Sequence, residues 1–246
     1  MIFVLQPSDE QLQSAKDAGV ELHFTPIAKD GFVFFVNSRN SVSNLSIEQI
    51  RDIYRKQITN WQDVGGTDNT ILPHQRPENS GSQTAMIIEV MRGEKLPPPL
   101  LKEYHVPMHG IVSAVAQYQN QEESIGYSFR FFTEEMMRDI WGNMRKEAEY
   151  YHLMISLIPI NTLDLHERRE QYQSEIEKIM NPVKLLAVDG IAPSKENIRN
   201  GTYPFTVDVY AVTAGTSNPH VKELTDWMLS PQGQELIEKT GYVGIK

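Results

Sequence analysis

The feature that most constrains the fold is the alternation of strand-like apolar runs with helix-like segments along the chain. The runs GVELHFTPI, GFVFFVN, SIGYSF and TVDVYAVT have the β-branched and aromatic composition of strands. Between them, apolar residues recur at helical spacing, and one such segment places four on the same face: Ile47, Ile50, Ile53 and Tyr54. This alternation is typical of an α/β fold and favours a mostly parallel sheet.

Capping residues predict where several helices begin and end. Ser46 and Gln49 have the spacing of a capping box, and Ser8 with Gln11 has the same spacing at the start of a helix that ends before Gly19. Further helices are expected over residues 82–92 and 110–118. The last element, residues 220–240, is expected to be one helix or a pair of helices broken near Pro231.

Residues 138–180 have a different composition from the rest of the chain. They are polar and charged, with apolar residues at helical spacing in two halves: Ile140, Met144 and Tyr151, then Tyr172, Ile176 and Ile179. Asn161 and Asp164 separate the halves. This pattern predicts a helical hairpin inserted outside the α/β core.

The composition excludes several classes of function. The net charge is −9 and no basic stripe interrupts it, which argues against nucleic acid as a partner. The chain has no cysteine, so disulfides, thiol catalysis and thiolate metal sites are excluded. No apolar run approaches the ~20 residues of a membrane span. The start, MIFVLQPSDEQ, has neither a basic segment nor a long apolar stretch, so we expect no signal peptide in this chain.

The segment HQRPENSGSQTAM has the residues of an anion site. A helix that opens with Ser80, Gly81 and Ser82 offers unpaired backbone N–H groups, two hydroxyl groups and the positive end of the helix dipole. Gly81 lacks a Cβ, so a ligand can approach the backbone. Arg76, four residues before Ser80, can offer two parallel N–H groups to a tetrahedral oxyanion.

A simpler interpretation of the same residues stays open. Ser80 can be an ordinary helix cap, Gly81 a turn residue and Arg76 one half of a surface ion pair. The lysine of a phosphate-binding P-loop is absent, and so is the GxSxG pattern of a nucleophile elbow.

Other candidate sites are weaker. His105 and His109 have the spacing of two metal ligands on a helix, but Pro107 between them disfavours that helix. The segment HERRE lacks the second histidine of a zinc-protease helix. Because no paired carboxylates, metal cluster or activated nucleophile can be found, we do not expect an enzyme.

Five segments, taken in order, resemble one family. SNLSIEQIRDIYRKQITNWQDVGG is similar to a conserved stretch of the phosphate-type periplasmic binding proteins, although Lys56 and Gln57 stand where that family usually has glycine. RPENSGSQTAM resembles the family's phosphate loop R-x-x-x-S-G-(T/S), and ESIGYSF resembles its I-G-Y strand. DGIAPSKENIRNGTYPFTVDVYAVT and WMLSPQGQELIEKTGYVGI resemble its return segment and its end. The match extends over most of the chain outside residues 138–180.

The resemblance implies a type II periplasmic binding protein-like fold, with two α/β lobes of mixed sheets that close on a ligand. Residues 1–30 and 205–246 would form the remainder of lobe 1, and residues 31–204 would form lobe 2 with the hairpin insertion. The chain would be the solute-binding component of an ABC importer. Such a component captures phosphate or a similar tetrahedral oxyanion reversibly, without chemistry and without a cofactor. The ligand-binding residues would be Arg76, Ser80, Gly81 and Ser82.

The resemblance also implies that the importer's membrane subunits are partners and that the protein acts outside the cytoplasm, in the periplasm or as a cell-surface lipoprotein. The chain departs from the family at its start, where a strand, a helix and a second phosphate loop normally precede the residues that match MIFVLQPSDEQ. We therefore expect the first lobe to be incomplete. An alternative function follows from this departure, namely a module that self-associates or binds another protein and has little ligand affinity.

Overall fold

The computed structural model describes residues 1–5, 7, 9–78, 80–106, 108–117, 121–136, 183–216 and 218–245. The predicted helical hairpin over residues 138–180 lies outside the described residues and stays a prediction. Within the described part of the chain, no helix has the length and apolar character that crossing a membrane requires.

The described strands are β1 (Ile2–Val4), β2 (His23–Asn37), β3 (Asn44–Leu45), β4 (Leu72–Pro73), β5 (Ser124–Phe129), β6 (Val183–Leu185), β7 (Ala187–Val188) and β8 (Thr206–Thr213). The described α-helices are α1 (Asp9–Asp17), α2 (Ile47–Tyr54), α3 (Gly81–Ala85), α4 (Met108–Gln117), α5 (Lys195–Arg199), α6 (Pro219–Met228) and α7 (Pro231–Thr240). The α3 helix continues into a π-helical turn, Met86–Val90. Short 3₁₀ turns lie at Trp61–Val64, before β4, and at Leu101–Glu103, before α4.

The long strand β2 connects two groups of strands. Its first part, residues 23–31, pairs antiparallel with β8, which pairs on its other side with β1. From Phe32 onward, β2 pairs antiparallel with β5, while β4 lies parallel to β5 at the far edge. The last residues of β2 also pair with β6. The pairing partner of β2 therefore changes between Gly31 and Phe32.

The expectation of a mostly parallel sheet is wrong for the described strands. The pairs β1–β8, β2–β8, β2–β5 and β2–β6 are antiparallel, and the pairs β4–β5 and β3–β7 are parallel. The mixed sheets that the family resemblance implies are what the structure has. The sequence predicted two strands over residues 20–37, but the structure has one, because Asp30 and Gly31 continue the extended backbone.

Two apolar cores lie on either side of the point where β2 changes partner. The larger core surrounds the second part of β2 and contains fully buried Phe34, Tyr54, Trp61 and Ile111. The smaller core lies beneath α6 and α7, where Ile27, Ala28, Val209 and Ala211 are buried. Each group of strands is thus covered by its own helices.

The helix ends follow the capping residues closely. Gln49 N donates to Ser46 Oγ at 3.1 Å and Ser46 N donates to Gln49 Oε1 at 2.8 Å, which confirms the predicted capping box. The C-terminal segment is a pair of helices, and the second begins with Ser230 as its cap and Pro231 in its first turn. Helix α5 also follows a capping residue, since Ser194 Oγ accepts from Asn197 N at 3.1 Å.

Candidate anion-binding site

Arg76 and α3 are brought together by the packing of β4 against β5. Arg76 lies three residues beyond β4, and its backbone N–H donates to Gln83 Oε1 and to Tyr127 Oη, both at 3.1 Å. Tyr127 Oη also donates to Gln83 Oε1. Gln83 belongs to the first turn of α3 and Tyr127 to β5, so this network fixes the backbone of Arg76 against the start of the helix.

The helix start has the geometry of a capped N-terminus. Ser80 is the cap, with φ −84° and ψ 143°, and its Oγ accepts from Gln83 N at 3.2 Å. The capping role that the simpler interpretation gave to Ser80 is therefore present. Within the described part of the chain, the N–H groups of Gly81 and Ser82 have no hydrogen-bond partner. Gly81 is exposed, and Ser82 is buried.

The Arg76 guanidinium is buried and only partly satisfied. The residue is 9% exposed, and its Nη1 donates to the Val106 carbonyl. Its Nε is buried and has no partner among the described residues. Burial lowers the pKa of Arg76 from its ordinary value. The simpler interpretation gave Arg76 a surface ion pair. The structure instead has a side-chain hydrogen bond from Arg76 to a backbone carbonyl. A buried donor without a partner costs ~1–3 kcal/mol.

Gly81 and Thr84 line a cavity of ≈590 Å³. Other lining residues belong to β1 and β8 and include Val4, Asp208 and Val212. No atom lies within 4 Å of where a Cβ on Gly81 would stand, so the backbone there is open to a ligand. Of the four predicted site residues, Gly81 lines this cavity, whereas Arg76, Ser80 and Ser82 do not.

The sequence interpretation missed several groups around Arg76. Gln83 stands three residues after the cap, as a capping box requires, but its side chain bonds Arg76 N and not the cap. Tyr127 lies in the run SIGYSF, whose composition indicated a strand and no binding role. His105 contacts His74, with 2.9 Å between His105 Nε2 and His74 Nδ1. Among the described residues no group of three metal-ligating side chains exists, and the side chain of His109 lies outside them.

Two groups of strands are thus joined by the long strand β2, and both contribute residues to the cavity that Gly81 lines. Residues 5–232 match the model of the PBP superfamily domain. The chain belongs to that superfamily.

Known relatives and structures agree with this family. The phosphate-binding protein PstS of Bacillus subtilis is 20% identical over 221 residues, which is 89% of this chain and 56% of the relative. The PstS of Borreliella burgdorferi is 23% identical over 223 residues, or 90% of this chain and 66% of the relative. The chain therefore spans a little more than half to two thirds of these relatives.

Two solved structures share the fold. One, from Clostridium perfringens, is assigned as a phosphate ABC transporter substrate-binding protein and contains bound phosphate; its TM-score is 0.67 at 22% identity, covering 99% of this chain and 78% of that one. The other, an ABC-type phosphate transport receptor from Vibrio cholerae, has a TM-score of 0.62 at 20% identity, covering 98% of this chain and 78% of that one.

Proposed function

We propose that this protein is the phosphate-binding component of an ABC-type importer. The observation that carries the proposal is the unpartnered, buried Nε of Arg76 beside a helix start whose first N–H groups are free within the described residues. Ser80, Gly81 and Ser82 supply the remaining donors. The names of the relatives, which are phosphate-binding proteins, support the choice of phosphate.

The chemistry of such a site depends on local donors. The chain has a net charge of −9, so the protein's overall field does not attract an anion. A guanidinium and backbone N–H groups at a helix start instead form charge-assisted hydrogen bonds with phosphate oxygens. Glu78, in the same loop, is exposed and can accept a hydrogen bond from a protonated phosphate. The function is reversible capture, without catalysis and without a cofactor.

We propose that the two groups of strands belong to two lobes. Residues 1–30 and 205–246 form the remainder of lobe 1, and residues 31–204 form lobe 2. These boundaries are supported by the change of partner along β2. Gly31 pairs with Thr206 of β8, and the next residue, Phe32, pairs with Phe129 of β5. Rotation of one lobe about β2 and β8 would open and close the cleft that Gly81 faces.

The proposed partners are the membrane subunits of the importer, with the protein acting outside the cytoplasm. Support comes from the transport systems to which the similar structures are assigned. Self-association is a second proposal, favoured by the exposed apolar side chains of β1, since Ile2 is 60% and Phe3 54% exposed. Sedimentation of the wild-type protein and of Phe3→Ser tests it: association that is unchanged by the substitution would contradict it.

Titration calorimetry with inorganic phosphate tests the proposed function. We expect saturable binding that weakens about ten- to a hundredfold in Arg76→Met, because ~1.5–3 kcal/mol of charge-assisted hydrogen bonding is lost. Lys222→Met is the control, since it removes a positive charge from a side chain that is 81% exposed on α6. Absence of binding by the wild-type protein, or equal affinity in both variants, would contradict the proposal.

A further inference from the structure

Two histidines form a buried pair behind Arg76. His74 is 2% exposed, and its Nε2 lies 3.0 Å from Ser124 Oγ on β5. Its Nδ1 lies 2.9 Å from Nε2 of His105, which is partly buried. Because both nitrogens of His74 face a polar partner, the three side chains form one continuous line of hydrogen bonds from β5 outward.

His105 belongs to the segment that holds the Arg76 side chain. Gln75 N donates to the Glu103 carbonyl at 2.7 Å, and His105 N donates to the Gln75 carbonyl at 3.0 Å. The residue after His105 is Val106, whose carbonyl accepts from Arg76 Nη1. The Val106 side chain is 64% exposed, so its own packing does little to hold that carbonyl in place.

The start of this segment is held separately. The Glu103 carboxylate accepts from Leu100 N at 2.8 Å and from Lys56 Nζ at 3.0 Å. These bonds hold residue 103 whether or not the imidazole of residue 105 is present. The end of the segment, which carries the Val106 carbonyl, is held by the backbone bond from His105 N to the Gln75 carbonyl and by the imidazole bond from His105 to His74.

From this geometry we infer that His105 is a positioning residue for anion binding: through His74 it holds the Val106 carbonyl, which orients the Arg76 guanidinium toward the site. The inference rests on the proposed function. An arginine already held in its binding orientation loses less freedom when it binds phosphate, so affinity depends on the carbonyl that holds it.

The charges around the pair favour two neutral imidazoles. Burial, then His105, then Lys102 lower the pKa of His74 to about 3. Burial and Arg76 lower the pKa of His105. The other ionisable groups near the segment are Tyr104 and the paired Lys56 and Glu103. Two neutral rings share one proton between their facing nitrogens, which keeps the bond between them intact.

A pair of substitutions separates the hydrogen bond from packing. His105→Gln keeps a nitrogen donor at the reach of Nε2, whereas His105→Leu keeps a similar volume without a donor. In phosphate titrations we expect His105→Gln to bind within about threefold of wild type and His105→Leu to bind about tenfold more weakly, equivalent to ~1.4 kcal/mol. His220→Leu is the matched control, because the His220 side chain is 82% exposed on α6. Equal affinity of His105→Leu and wild type would overturn the inference, as would equal loss in His105→Leu and His105→Gln.

A double-mutant cycle tests whether His105 acts through Arg76. In the Arg76→Lys background, which retains the charge but not the guanidinium, His105→Leu should change affinity by less than about twofold. An undiminished effect there would mean that His105 acts on overall structure and would overturn the inference. If His105→Leu does not fold, ¹⁵N NMR of the wild-type protein decides. Phosphate should then shift the His105 ring and Arg76 Nε signals together, and an unmoved His105 ring would overturn the inference.

These outcomes differ from failure of the proposed function. If the wild-type protein does not bind phosphate, the proposed function falls and this inference with it. If the wild-type protein binds and Arg76→Met does not, while His105→Leu binds normally, the inference alone is wrong.

Discussion

Asp30 lies at the point where β2 changes partner, and its ionisation makes the free energy of unfolding depend on pH. The residue is 3% exposed, and its Oδ1 accepts from Gly31 N at 2.8 Å and from Phe131 N at 3.2 Å. Burial raises the pKa of Asp30 to about 7 despite these two bonds and the nearby Arg130. A neutral carboxyl is therefore favoured in the folded protein, whereas the unfolded chain ionises at an ordinary pKa.

The sign of the effect follows from linkage. A raised pKa in the folded state means that the free energy of unfolding falls as the pH rises from 3.8 through about 7. At ~1.36 kcal/mol per pKa unit, the ionised group costs ~4 kcal/mol above that range. Of this cost, about 2.5 kcal/mol develops between about pH 5 and about pH 8.

The substitution Asp30→Asn isolates this cost. The amide oxygen can accept from Gly31 N and Phe131 N as Oδ1 does, and the amide carries no charge. We expect the stability advantage of Asp30→Asn over wild type to grow by about 2.5 kcal/mol between about pH 5 and about pH 8. Urea unfolding followed by circular dichroism at the two pH values measures it. Asp226→Asn is the control, because the Asp226 side chain is 59% exposed on α6. If the difference in the free energy of unfolding between Asp30→Asn and wild type does not vary with pH, ionising Asp30 does not destabilise the folded protein.

Two further predictions concern stability. Gly126→Ala should lower the free energy of unfolding by at least ~1–3 kcal/mol, because its Cβ would lie 2.4 Å from Ile111 Cγ2 and 2.7 Å from Phe35 Cε2. A Cβ on Gly81 would have no atom within 4 Å, so Gly81→Ala should leave the free energy of unfolding in urea nearly unchanged. Equal destabilisation by Gly126→Ala and Gly81→Ala would contradict the close packing around Gly126. The pKa of His74, lowered to about 3, means that stability falls as the pH drops from 6.5 toward 3, since only the unfolded chain takes up the proton readily. We expect ~2 kcal/mol of this loss between about pH 7.5 and about pH 5; His74→Gln should remove it, and an unchanged pH profile would show that the folded protein protonates His74 without penalty.

Short sequence patterns predicted the described helices and strands well where residues close in the chain determine the structure. The capping box at Ser46 depends on residues three apart, and the break before Pro231 depends on a residue that favours the first turn of a helix. The strand Ser124–Phe129 was evident from its apolar run. Arg76 was placed beside the helix start by the family resemblance, and its lack of an ion-pair partner could not be predicted without the fold.

Contacts between distant segments could not be predicted. The runs GVELHFTPI and GFVFFVN were interpreted as two strands, but the Asp30 carboxyl accepts from Phe131 N, and β2 continues as one strand through Asp30 and Gly31. The antiparallel pairing of β2 with β8 joins residues far apart in the chain, and strand alternation alone favoured parallel neighbours. His74 and His105 meet because Gln75 and Tyr104 lie side by side, which depends on how a loop packs and not on any repeat in the sequence.

In the proposed function, phosphate binds where Arg76 meets the start of α3. An NMR titration of the ¹⁵N-labelled protein with inorganic phosphate tests it most directly, because it reports on individual N–H groups. We predict saturable shifts that are largest at the Gly81 and Ser82 amides and at Arg76 Nε, with the Lys222→Met variant behaving as wild type. No saturable shift, or a saturable shift centred away from these three groups, would contradict the account.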